Sequence, residues 1–196
     1  MSDRRSLRKA LRAARKKLSA QERAAASRRI ASLIARSHWL VPGRRIALFL
    51  SMAEEIDTAP LIETARRRGC DLYFPRIENI RQRRMVFTPP GPGRRFNRLG
   101  IAEFSSAARI SPAALQIVFL PLVGFDAQGN RLGMGAGYYD RALAFRLRRQ
   151  RWAGPRLIGL AYSCQQTELI EPSRTDVPLD AVVTERGIRI FRGENR

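Results

Sequence analysis

The densest chemistry in the chain lies in Phe119-Leu-Pro-Leu-Val-Gly-Phe-Asp-Ala-Gln-Gly-Asn-Arg-Leu-Gly-Met-Gly-Ala-Gly-Tyr-Tyr-Asp-Arg-Ala-Leu143. An apolar run passes through two turn signals to Gly133, Gly135 and Gly137, then to two tyrosines and Asp140. A strand feeding a glycine-rich loop at a helix start offers phosphate a close backbone approach and free N–H groups. The spacing is not that of a Walker loop, because no Gly-Lys-Ser/Thr follows. Nor is it the dinucleotide fingerprint, because the third glycine comes one residue early. On the glycines alone, a tight turn between strand and helix explains the segment equally well. The flanks shift that balance. Arg131 brings a guanidinium suited to bidentate contact with phosphate oxygens, and Asp140 brings a carboxylate suited to magnesium bridging them. Cation, backbone donors and metal ligand in one run point to a nucleoside triphosphate.

Other residues could join this chemistry. Arg4 and Arg8 would share a helix face and could reach one phosphate chain. Their alternative is a solvated basic face. Tyr138 and Tyr139 open a helix; one packs in the core and the other can line a pocket for a flat heterocycle. His38, the single histidine, sits beside Trp39 at a helix end and reads as a cap or packing residue. No Ser/His/Asp or Cys/His constellation is visible.

The elements that must position these groups follow from pattern. Asp3 to Leu18 reads as a basic amphipathic helix with Leu7, Leu11, Ala14 and Leu18 on one face. Ser19-Ala-Gln-Glu22 is a capping box that starts a second helix running to about Ser37. Strands are expected at Ile46–Leu50, Asp71–Pro75, Met85–Thr88, Leu115–Pro121, Leu157–Tyr162 and Ala181–Thr184. Leu115–Pro121 is apolar on both faces, as a central parallel strand should be. Ile188–Phe191 reads as a hairpin partner turned at Arg186-Gly187. A helix follows Asp57-Thr58, with Pro60 in its first turn and Gly69 just past its end. Strands alternating with helices predict an α/β fold with a mostly parallel sheet. One domain is expected over 1–196, with N-terminal helices over 1–40 packed on it.

Composition bounds the rest. The 196 residues carry a formal charge of +20, in which Lys9, Lys16 and Lys17 are the only lysines. Arginine-biased composition and a polyanionic ligand explain this charge equally well. The longest apolar run, near Ile117–Phe125, is too short to span a bilayer, and the N-terminus shows no apolar signal region. Cys70 and Cys164 fit neither a zinc spacing nor a disulfide framework, so a reducing, cytoplasmic setting is expected. A nucleic-acid-binding protein is the rival that charge raises. No zinc finger, RNA-recognition aromatic motif or helix-turn-helix glycine pattern supports it.

Gly124-Phe-Asp-Ala-Gln-Gly-Asn-Arg-Leu-Gly-Met-Gly-Ala-Gly-Tyr-Tyr-Asp-Arg141 resembles the signature of the 5-formyltetrahydrofolate cyclo-ligase family. Arg4-Arg-Ser-Leu-Arg8, Phe49-Leu-Ser-Met-Ala-Glu-Glu-Ile-Asp-Thr58 and Asp176-Val-Pro-Leu-Asp-Ala-Val-Val-Thr-Glu185 are similar to further family motifs in the expected order. The resemblance implies a three-layer α/β/α sandwich. It also implies ATP- and magnesium-dependent conversion of 5-formyltetrahydrofolate to 5,10-methenyltetrahydrofolate, with ADP and phosphate released. Implied ATP contacts are Arg4, Arg8, Arg131, Leu132, Gly133, Met134, Gly135, Ala136, Gly137, Tyr138 and Tyr139. Implied substrate contacts are Leu50, Glu55 and the run Met134, Gly135, Ala136, Gly137, Tyr138. Asp140 and Asp176 match Mg2+ ligands. Glu55 would accept hydrogen bonds from pterin N–H groups; its alternative is an acidic residue favoured by a helix dipole. Asp180 reads as a cap or as the partner of an arginine.

The chain departs from the family at Thr175, where many relatives have histidine. It departs also at Met134 and Ala136, where some have basic residues, and at Phe104, which replaces a proline in Gly100-Ile-Ala-Glu103-Phe104. The resemblance implies a monomer acting on ATP and 5-formyltetrahydrofolate. A different ATP-dependent kinase or ligase on a related scaffold is the second rival. A polyglutamylated folate would give the basic surface a role.

Overall fold

A computed structural model describes residues 3–148 and 154–191. Two helices open the chain, α1 (Arg4–Lys16) and α2 (Ala20–Ala35). There follow β1 (Arg45–Ala47), α3 (Ala59–Arg67), β2 (Asp71–Asn79), β3 (Arg84–Thr88), β4 (Arg94–Phe96) and β5 (Ala102–Phe104). Next come β6 (Ile117–Pro121), β7 (Gly124–Phe125), β8 (Arg131–Leu132), α4 (Tyr138–Leu143), β9 (Arg156–Leu160), β10 (Ala181–Thr184) and β11 (Gly187–Ile190).

Seven strands form one sheet in the order β11-β10-β9-β6-β1-β2-β3. The five inner strands pair in parallel, and the edge strands β3 and β11 are antiparallel. The expected mostly parallel α/β sheet is therefore observed, with β6 at its centre. Alternation along β6 shows why its sequence is apolar throughout. Ile117 and Phe119 join α2 and α3 on one face, through Ile30, Ile34, Leu61 and Ala65. Val118 and Leu120 join α4 on the other, through Leu143. Each face is covered, so no position on this strand can be polar.

The helix signals act as the pattern predicts. Ser19 Oγ accepts from the Glu22 N–H at 3.2 Å, and Glu22 Oε2 accepts from the Ser19 N–H at 2.7 Å. At α3 the cap comes from Asp57, whose Oδ1 accepts from the Ala59 N–H at 2.9 Å. Thr58 instead turns inward and donates to the Phe49 carbonyl at 2.6 Å. Gly69 ends α3 at φ 71, where a side chain would be strained.

Several expected bounds need correcting, among them Leu115–Pro121, which pairs from Ile117, and Leu157–Tyr162, which pairs over Arg156–Leu160. The run Ile46–Leu50 is laddered as a strand only to Ala47; the Leu48 N–H still donates to the Tyr73 carbonyl at 2.9 Å, and Phe49 and Leu50 line the cleft described below. The last hairpin turns at Glu185-Arg186: Thr184 pairs with Gly187, which belongs to the ladder. Two short ribbons, β4–β5 and β7–β8, carry no alternating pattern and are not evident in the sequence. α1 packs over the second of these. Leu11 meets Val123, Leu132 and Ile170 there, apart from both sheet faces. Among the described residues no helix is long and apolar enough to cross a membrane.

Candidate active site

A cleft of about 790 Å³ opens where β1 and β6 end. Carboxyl ends of parallel strands are where such sheets bind ligands, since the connections splay apart there. Leu50 and Glu55 come from the loop after β1, Pro121 and Leu122 from the end of β6, and Gly133–Asp140 from the turn into α4. α1 leans Arg4 and Arg8 over this opening, and the loop before β10 contributes Thr175 and Asp176.

The glycine turn is aimed by the ribbon beneath it. Asp126 is fully buried, and its two oxygens accept from the N–H groups of Gln128, Asn130 and Ile170 and from Asn130 Nδ2, at 2.8–3.0 Å. Four bonds on one carboxylate hold β7, β8 and the 170 loop together, which fixes where Gly133 begins. Gly135 then takes φ 102 and Gly137 φ 71, both left-handed, so only glycine adopts this path without strain.

The charged groups are already paired. Arg4 Nη1 donates to Asp176 Oδ2 at 2.7 Å and to the Glu171 carbonyl at 3.1 Å. Arg8 Nε donates to the Gly133 carbonyl at 2.8 Å. Arg131 is buried at 6 % exposure; Nη2 donates to Asp140 Oδ1 and Nη1 to the Val177 carbonyl. Burial pulls its pKa below the usual arginine range, and Asp140 and Asp176 oppose that shift. Both terminal nitrogens are thus committed. One of those partners is Asp140, so Arg131 ties the glycine turn's carboxylate to the cleft wall. Asp140 Oδ1 also accepts from the Val177 N–H at 3.2 Å, and Asp176 Oδ2 from the Ser173 N–H at 2.9 Å. Asp140 Oδ2 and Asp176 Oδ1 accept no hydrogen bond among the described residues.

The opposite wall is apolar and carries two carboxylates. Glu55 Oε2 accepts from the Met52 N–H at 3.0 Å. Burial raises its pKa, opposed by that N–H and by the charge of Arg15. Burial also raises the Tyr139 hydroxyl, with the Glu55 charge adding to the shift, so the phenol stays protonated. Both Tyr138 and Tyr139 line the cleft while packing on the α4 face of the core. The second carboxylate, Glu103, is only 2 % exposed; its Oε1 accepts from the Ile77 N–H at 2.7 Å and from Asn97 Nδ2 at 2.8 Å.

Every residue expected in the site lines this cleft except Leu132. Leu132 is fully buried against Leu11, Val123 and Ile170, which leaves only its backbone for a ligand. Sequence reasoning missed Glu103 as a lining group, although Gly100-Ile-Ala-Glu103 marked its neighbourhood, and missed the apolar wall of Ile77, Met85 and Ile101. Asp180, expected as a cap or as an arginine's partner, pairs with Arg146 at 2.8 Å and also accepts from the Leu157 N–H of β9 at 2.7 Å. His38 is exposed and lies outside the cleft.

A parallel sheet gathering a glycine turn, two carboxylates and paired arginines at its strand ends has the build of an α/β enzyme. The profile of the 5-formyltetrahydrofolate cyclo-ligase family matches residues 1–185. The chain belongs to that family of ligases. It is 36 % identical over 151 residues to the 5-formyltetrahydrofolate cyclo-ligase of Escherichia coli K12, covering 74 % of this chain and 80 % of that one. The mouse enzyme of the same name is 28 % identical over 193 residues, 94 % of each chain. The solved structure of Aquifex aeolicus 5,10-methenyltetrahydrofolate synthetase superposes with TM-score 0.80 at 28 % identity, covering 97 % of this chain and 94 % of that one.

Proposed function

We propose that this chain, acting as one domain, converts 5-formyltetrahydrofolate to 5,10-methenyltetrahydrofolate at the expense of ATP in the cytoplasm. The observation that carries the reading is that one cleft is lined by two sets of groups: Arg4, Arg8, the glycine turn, Asp140 and Asp176 as one, and Glu55 with the apolar Ile77, Met85 and Ile101 as the other. Triphosphate fits the first, and a flat pteridine with N–H groups fits the second.

The residues fit magnesium as well. Asp140 and Asp176 each keep one oxygen without a hydrogen bond among the described residues. Two hard carboxylate donors, completed by phosphate and water, suit this ion. When bound, the ion neutralises phosphate charge. In the proposed reaction the formyl oxygen attacks the γ-phosphorus and ADP leaves, giving an iminium phosphate. N10 then attacks the activated carbon and loses its proton, and the carbon–oxygen bond breaks as phosphate departs. The chain's part is positioning and charge neutralisation. Gly133–Gly137 present backbone donors, Arg4 and Arg8 meet phosphate oxygens, Arg131 holds Asp140 in place, and Glu55 orients the pteridine.

Thermal melts test the reading. A ligand that binds only the folded state raises Tm by mass action, and by more the further its concentration exceeds Kd. Mg-ATP with 5-formyltetrahydrofolate should raise Tm more than either alone. A duplex oligonucleotide that stabilises the protein while the folate does not would refute the reading.

A further inference from the structure

A second, smaller hollow of about 420 Å³ opens off the cleft at the β3 edge of the sheet. The two spaces share Arg83, Met85, Arg141 and Ala144. Three arginines, Arg83, Arg84 and Arg141, line the hollow. Arg84 is neutralised by Glu78 at 2.7 Å. The side chains of Arg83 and Arg141 have neither hydrogen bond nor ion pair among the described residues. Their charges therefore face the hollow uncompensated.

Arg83 is also the only non-glycine residue with positive φ, at 51°, among the described residues. It ends the turn from β2 to β3, where its N–H donates to the Ile80 carbonyl at 3.2 Å. Glycine or asparagine suits such a position, so an arginine there is held against local preference. Strain of this kind concentrates at ligand sites.

α4 sets the direction. Asp140 turns toward Arg131 and the Asp176 end of the cleft. The next residue, Arg141, lines the hollow at β3. A substrate with its reacting group at the phosphate end and its ring along the apolar wall would send its far end to this edge. Folates carry their glutamyl carboxylates at that far end. We infer that Arg83 and Arg141 form a carboxylate subsite that takes the glutamyl tail of the substrate. Guanidinium groups suit this task because they meet carboxylates bidentately.

This inference rests on the folate reading above. The test compares kcat/KM for 5-formyltetrahydropteroate, which lacks glutamate, with the mono- and tri-γ-glutamyl substrates. Arg83→Gly relieves the backbone and removes the cation, so its melt checks that the fold persists. In an Arg83→Gly/Arg141→Ala double variant the preference for glutamylated substrate should fall about tenfold, through KM, as charge-assisted contacts are lost. In the parent protein the same preference should shrink as salt rises. An unchanged preference refutes the inference, as does an equal loss on all three substrates. If the variant instead escapes inhibition by inorganic phosphate while keeping its preference, the subsite binds phosphate and the inference fails. Should the parent turn over none of the three, the folate reading falls and takes the inference with it.

Discussion

Arg131→Met is the substitution that separates a holding role for Arg131 from a direct phosphate contact. Methionine preserves much of the volume but removes the charge and both donors. Arg131 is 5 % exposed at its side chain and Asp140 25 %. Breaking a buried pair by removing one partner costs about 3–5 kcal/mol. Partial access of water to Asp140 lowers that figure, and the stranded Val177 carbonyl adds about 1 kcal/mol. The expected loss is about 2–3 kcal/mol, or about 4–12 °C in Tm for a chain of this length. Asp140 would also lose the partner that fixes it, so the magnesium concentration for half-maximal activity should rise along with KM for ATP. Melts with and without Mg-ATP, and a magnesium titration of initial rate, read both effects. A variant that melts with the parent and keeps its magnesium dependence would refute the reasoning. A raised KM for ATP with an unchanged melt would point to the open clamp instead.

Three further outcomes follow from the same structure. Gly135→Ala forces a side chain to φ 102, with its Cβ 3.7 Å from the Arg8 guanidinium carbon. A non-glycine residue in such a conformation costs about 1–3 kcal/mol, and KM for ATP should rise because the loop relaxes away from its path. Glu55 has a raised pKa in the fold, so its ionisation opposes folding. Its favourable contribution is complete below the ordinary value of 4.5 and is lost as pH rises through the folded value. Glu55→Gln should therefore raise Tm at neutral pH, lose that advantage under acid, and weaken folate binding in isothermal titration. Ser19→Ala removes half of a capping box and should cost about 1 kcal/mol in urea unfolding, with kinetic constants unchanged because α2 lies outside the cleft.

Local grammar made much of this legible in the sequence. The Ser19–Glu22 box, Gly69 after α3 and the two-faced apolar strand Ile117–Pro121 each specify their conformation within a few residues. The glycine turn was visible for the same reason, since left-handed backbone leaves its mark as glycine. What stayed hidden depends on distant partners. Arg131 reads as a guanidinium open to phosphate, and its burial follows from the distant Val177 carbonyl and from Asp140. Glu103 reads as one acid in an arginine-rich stretch, and its burial follows from the Ile77 N–H on β2 and from Asn97 in the turn between β4 and β5. β4 is exposed at every position, so no alternation could announce it. Leu132 sits in the signature, yet α1 covers its side chain, a contact that no spacing within the motif encodes.

In the proposed reaction one cleft brings ATP and 5-formyltetrahydrofolate together, with Asp140 as an essential ligand. The direct measurement is the near-ultraviolet absorbance of the methenyl product, followed beside ADP release, for the parent protein and Asp140→Ala. Product and ADP should form in equal amounts from the parent when folate, ATP and magnesium are all present, and neither from the variant. Parent protein that yields no methenyl product, or Asp140→Ala that turns over at the parental rate, would contradict it.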